Sequence, residues 1–179
     1  MLIGFKRYVF LLALALVVGC SSVSEGSKSL VGQRVPEGRM MLLSGETVAL
    51  HDNSDVSRAI LFWATWCPRS RSDIERFEDL ARLYSWRGDI EFYAVSIDKH
   101  EDERELLSRI ESQDLKTVRH VFSGNDTQDE SFLALRGDQL PYAVLIDRRG
   151  VVRSITVGVS GLEELLTKKL PSRRPVADE

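Results

Sequence analysis

Residues 59–70 read AILFWATWCPRS, and the reading of this stretch decides the fold. Ala59 to Ala64 is apolar without interruption, as expected of a strand covered on both faces. The pattern then changes abruptly. Pro68 suits the first turn of a helix, where its missing N–H has no helical partner to lose. Ile74, Phe77, Ala81 and Tyr84 recur at spacings of three and four, so a helix is predicted over residues 68–86, stopped by Gly88. Cys67 therefore falls at a junction where a buried strand hands over to an amphipathic helix.

Working outward, strand and helix signals alternate along the chain. Met40 to Leu43 and Thr47 to Leu50 flank Ser44-Gly45-Glu46 and predict a short hairpin. Ile90 to Ile97 (IEFYAVSI) is the next strand candidate. Glu101 to Ser112 reads as a helix with Leu106, Leu107 and Ile110 on one face, and Val118 to Phe122 as a strand. Thr127-x-x-Glu130 has capping-box spacing ahead of Phe132, Leu133 and Leu135, with Gly137 as the stop. Tyr142 to Ile146 and Val151 to Val157 are strands around the turn Asp147-Arg148-Arg149-Gly150. Ser160-x-x-Glu163 repeats the capping-box spacing before Leu162, Leu165, Leu166 and Leu170. Apolar strands separated by amphipathic helices imply an α/β fold with helices on both faces of the sheet. The closing hairpin makes the sheet mixed.

The first twenty residues stand apart. A basic start at Lys6 and Arg7 precedes an apolar run from Tyr8 to Val18, too short for a comfortable membrane span and typical of a secretory signal. Leu16-Val17-Val18-Gly19-Cys20 resembles a bacterial lipobox, which implies cleavage before Cys20 and a diacylglycerol on its thiol. The serine that follows, Ser21, leans toward the outer membrane in that pattern. Cleavage removes 19 residues with two cations, leaving 160 residues and moving the net charge from −3 to −5. The expected organisation is a signal peptide over 1–19, a lipidated flexible tether over 20–33, one domain over 34–170 and a frayed tail over 171–179. The chain has two cysteines. With lipid on Cys20, Cys67 is left as a single free thiol in an oxidising compartment, which points to intermolecular pairing or a reactive thiol.

The stretches AILFWATWCPRS, IEFYAVSID, LPYAVLIDRRG and VGVSGLEELLTKKL together resemble the thioredoxin superfamily, in particular its exported, membrane-tethered TlpA/ResA type. The order and spacing fit across roughly residues 34–170. The resemblance implies a thioredoxin-like fold: a central mixed sheet flanked by helices, an N-terminal hairpin, and a helix–strand insertion between Ser96 and Phe122. It also implies a cis-proline at Pro141, after Leu140, facing the sulfur of Cys67. Asp73 falls where this type commonly has a glutamate that moves protons for the thiols. Trp66, Pro68, Leu140 and Pro141 become the expected client surface, and Cys67, Ser70 and Asp73 the expected chemical residues.

A thiolate, not a thiol, attacks a disulfide. The unpaired N–H groups of a helix N-terminus favour negative charge on Cys67. So do Arg69 and Arg71, and the Ser70 hydroxyl is placed to donate to the sulfur. Ser70 also occupies the position of the second sulfur of a redox dithiol, the one that attacks the mixed disulfide and frees the client. Net dithiol turnover by one chain is thereby excluded. What remains is monothiol exchange with exported cysteine proteins or small thiols, in a lipid-anchored protein facing the periplasm. A redox-inactive scaffold that keeps the fold and the groove is the alternative. A thiol peroxidase is a weaker one, because that pattern has threonine where this chain has Ala64. No cofactor is implied. No metal site is expected, since a cysteine pair is absent and His51, His100 and His120 do not cluster. The charge balance of 24 cations against 27 anions gives no basic stripe for nucleic acid.

Overall fold

The computed structural model describes residues 23–169. The signal peptide, Cys20 and the tail over 171–179 lie outside the described residues. The chain runs through a one-turn helix α1 (Glu25–Lys28), a hairpin of β1 (Arg39–Met41) and β2 (Thr47–Ala49), strand β3 (Ser57–Trp63) and the long helix α2 (Pro68–Tyr84). Strand β4 (Ile90–Ser96), helix α3 (Glu103–Ser112), strand β5 (Arg119–Phe122) and short helix α4 (Glu130–Ala134) follow. Strands β6 (Tyr142–Ile146) and β7 (Val152–Val157) and helix α5 (Ser160–Lys169) complete it.

Five strands form one sheet in the order β5-β4-β3-β6-β7. Strands β3, β4 and β5 are parallel, while β6 runs antiparallel to both β3 and β7. The sheet is mixed, as expected, and β3 lies at its centre with every residue from Arg58 to Trp63 buried. Alternate residues of β3 serve opposite faces. Ala59, Leu61 and Trp63 pack with Ile74, Phe77 and Ala81 of α2, Leu106 of α3, and Leu162 and Leu166 of α5. Ile60 and Phe62 pack with Tyr142 and Val144, Met40 of the hairpin, and Phe132 of α4.

Three local expectations are corrected. Leu107 is exposed while Leu106 is buried, because neighbours on a helix point about 100° apart and one face cannot take both. The cap of α4 is Asp129, whose carboxylate accepts the N–H groups of Ser131 and Phe132, and Thr127 lies in a preceding 3₁₀ turn. Ser160 and Glu163 are both held by Arg76 of α2, at 3.0 and 2.8 Å.

The largest correction concerns the tether. From Val23 onward the polar segment is docked on the domain. Val23 and Leu30 are buried among Phe132, Leu135 and Tyr142, each apolar side chain contributing about 1.5–3 kcal/mol. Ser27 is fully buried and its Oγ donates to Arg136 O at 2.6 Å. Arg136 in turn donates to Gly26 O and Ser29 Oγ. Further on, Gly32 N donates to Val152 O, Val152 N to Gln33 O, and Val35 N to Gly150 O, all along the outer side of β7. On the opposite side of the sheet, Leu42 bridges Val121 of β5 and Leu43 N donates to His120 O.

Candidate functional site

The site is built where β3 ends. After Trp63 the chain turns through Ala64-Thr65-Trp66, closed by Cys67 N donating to Ala64 O at 3.2 Å. The turn is clamped from β4. Asp98, fully buried just beyond the end of β4, receives Thr65 N on both carboxylate oxygens at 3.1 Å and Thr65 Oγ1 at 2.8 Å. Ser96 Oγ adds a fourth bond at 2.6 Å. A buried carboxylate is tolerated when its lone pairs are filled in this way. Thr65 and Asp98 went unnoticed at the level of sequence. The available signal was an acid directly after the strand-like run from Phe92 to Ile97.

Cys67 is the N-cap of α2, with extended backbone (φ −88°, ψ 112°), Pro68 in the first turn and no acidic residue there. Its side chain makes no capping bond, so the sulfur does not consume the free N–H groups of the helix start. Sγ instead lies 3.9 Å from Leu140 O, the carbonyl oxygen of the Leu140–Pro141 peptide, which is cis. The structure thus brings Cys67, Leu140 and Pro141 together from elements far apart in sequence.

Trp66 stands out beside the sulfur at 56% exposed, whereas Cys67 itself is 9% exposed. The thiol is therefore nearly covered. The chain on one side and the cis-proline loop on the other leave only a small part of the residue in solvent. Arg69 and Arg71 are exposed on the first turn.

Ser70 and Asp73 do not take the expected contacts. Ser70 is fully buried, its N–H donates to Cys67 O at 3.1 Å, and its Oγ has no hydrogen-bond partner among the described residues. The expected bond from this hydroxyl to the sulfur is not made, because Sγ is turned toward Leu140. Asp73, with its side chain 15% exposed, accepts Val159 N on Oδ2 at 3.1 Å and has Arg76 4.0 Å from Oδ1. It shares no hydrogen bond with Cys67, which leaves the proton-moving role without a contact. Its bond instead joins α2 to the β7–α5 connection. There Gly158, at φ +74°, donates its N–H to Pro141 O at 3.0 Å. A Cβ on Gly158 would stand 2.5 Å from Asp73 Oδ2. Asp73 and Gly158 therefore support the loop that carries Pro141.

Sheet order, the cysteine at a helix start and the cis-proline opposite it define a thioredoxin-like fold of the kind found in thiol–disulfide oxidoreductases. The chain belongs to the AhpC/TSA family, whose model it matches over residues 31–155. It is 25% identical over 138 residues to the thioredoxin-like protein YneN of Bacillus subtilis, covering 76% of this chain and 77% of that one. It is 31% identical over 101 residues to the thiol-disulfide oxidoreductase ResA of Oceanobacillus iheyensis, a match that spans 52% of each chain. Among solved structures, a thiol-disulfide oxidoreductase from Bacteroides fragilis superposes with a TM-score of 0.67 at 17% identity, covering 77% of this chain and all of that one.

Proposed function

We propose that this protein is a membrane-tethered monothiol exchanger of the bacterial cell envelope, lipid-anchored at Cys20, facing the periplasm and acting through Cys67. The observation that carries the reading is the placement of Sγ. It sits at an acid-free helix N-terminus, uncommitted to the helix and facing Leu140–Pro141. The Cys67 thiolate attacks one sulfur of a client disulfide. A Cys67–client disulfide forms, and the other client sulfur leaves as a thiolate. Ser70 has no sulfur to attack the new bond, so a thiolate of another molecule must attack its client sulfur; the client leaves joined to that molecule by a disulfide, and the Cys67 thiolate is restored. Clients are exported cysteine proteins or small thiols. Trp66 and the Leu140–Pro141 loop form the surface they meet. The ResA and YneN resemblances support the redox part of this reading.

Incubating the folded protein with oxidised glutathione tests it. One glutathionyl group should be added, lost on mild reduction and absent from Cys67→Ala. A native chain that never acquires the adduct would overturn the exchange reading.

A second reading, a redox-inactive scaffold, is favoured by the near-complete cover over Cys67. It expects Cys67→Ala to leave function in cells intact. The exchange reading expects loss of function with normal abundance.

A further inference from the structure

We infer that the Cys67 end of the domain is held against the lipid surface, so that its partner there is the bilayer and its clients present their sulfurs close to the membrane. This rests on the reading of Cys20 as the lipidated residue.

The argument begins at Val23. Had residues 20–33 been a free tether, fourteen links would have separated lipid from domain. Because Val23 is already buried in the core, three links remain. Fully extended, they reach roughly 10 Å. A domain of this size has a radius of gyration near 15 Å, so the leash is shorter than the body it holds. The surface around Val23 is the part that must meet the membrane.

The place where the docked segment begins is fixed by hydrogen bonds. Ser27 and Gly26 bond to Arg136, in the connection between α4 and Pro141. Tyr142, the next residue after Pro141, donates its hydroxyl to Leu135 O in the same connection. The segment then leaves in the other direction, toward Val152 and Gly150 at the opposite end of the strands. The chain therefore arrives at the end where β3 stops and Cys67 begins, and crosses the sheet away from the membrane.

That end also carries an apolar side chain in solvent. Trp66 is 56% exposed, and Leu140, half-buried, faces the thiol beside it. Arg136 is an exposed cation beside the docked segment, while Lys28 within it is paired with Glu25 at 3.2 Å. Tryptophan favours the membrane–water boundary, where its ring meets hydrocarbon and its N–H meets water, and cations there are drawn to anionic headgroups.

The test uses the full chain, made in a bacterium that lipidates exported proteins and reconstituted into phosphatidylethanolamine/phosphatidylglycerol vesicles. The mass of the N-terminal peptide, and flotation that is lost in Cys20→Ala, report on the anchor. In a Cys67→Ala background, a fluorophore is placed by Asp138→Cys in the loop before Pro141, or by Arg148→Cys in the β6–β7 turn at the far end. Headgroup spin-labelled lipid should quench the label at position 138 severalfold more than at 148. Inserting a Gly/Ser segment of about twenty residues before Val23, with an r.m.s. reach of roughly 25 Å, should erase the difference. Equal quenching of the two labels on an anchored chain, or stronger quenching at 148, would overturn the orientation while leaving the anchor intact. A chain without lipid at Cys20 would overturn both.

Discussion

Cys67 and Ser70 lie one helical turn apart, with Ser70 N bonded to Cys67 O. That spacing brings two Cα atoms within the range a disulfide spans. Ser70→Cys should therefore convert the monothiol into a reversible dithiol. Titration of the oxidised, unfolded variant should find neither thiol free, and titration of the reduced one should find both. Persistent free thiols after oxidation would show that Sγ of Cys67 cannot leave the Leu140 side. Ser70→Ala carries a different expectation. The hydroxyl is buried with no partner among the described residues, a state that costs rather than contributes free energy. Its removal should leave stability unchanged or raised, as read from the urea midpoint. At this scale Cys67 and Pro68 were legible because their signals are local: a change of period and a proline at a helix start. The Thr65–Asp98 clamp was not, because no local pattern connects residues 33 positions apart. The cis peptide before Pro141 came from family resemblance alone.

Helix α2 is anchored at more than its N-terminus. Glu78, 1% exposed, accepts Thr117 N at 2.8 Å and Val118 N at 3.1 Å, and Arg82 Nε lies 3.2 Å away. Burial works against its charge, yet the donors of Thr117 and Val118 with Arg82 outweigh it and hold the carboxyl below its ordinary range. Glu78→Ala strips two backbone donors of their partner, and a loss of about 2–3 kcal/mol is expected from chemical denaturation. Gly158→Ala acts at the other end of the same helix. The positive φ alone costs about 1–2 kcal/mol for a residue with a Cβ. The added methyl also pushes on Asp73. Melting temperature should fall, and glutathionylation of Cys67 should slow as the Pro141 loop shifts. The strands and long helices were visible in the sequence through their periodicity. The docking of residues 23–33 was not, because serines, glycines and charges surround its anchors. Their spacing, Val23, Ser27 and Leu30, is that of one helical face, a weak signal in a stretch this polar.

For the molecule as a whole, acid is expected to act in two stages. His120 is pushed down by burial, partly countered by its bond to Leu115 O. The unfolded chain then takes up its proton first. Stability from this source is present above the ordinary histidine value of about 6.5 and declines as the pH falls below it. Glu78 and Asp147, both held low in the folded state, add a further decline below about pH 4.5, where the unfolded carboxylates protonate. Urea midpoints measured from pH 8 to 3 should show both slopes, and His120→Gln should flatten the upper one while sparing the lower. An upper slope unchanged in that variant would assign it elsewhere.

The segment that begins at Val23 has one more effect. An open sheet offers its outermost backbone to any other chain with a strand to pair. Residues 32–35 occupy that position along the start of β7, and Leu42 and Leu43 along β5. Arg153, paired with Asp147, puts charge on the stretch of β7 that residues 32–35 leave uncovered. A chain shortened to begin after Val35 would keep Cys67, Pro141 and all five strands. It would nevertheless be expected to scatter light on standing and to form intermolecular strand pairs. Solubility is then as much a property of this polar stretch as of the folded body it leads into.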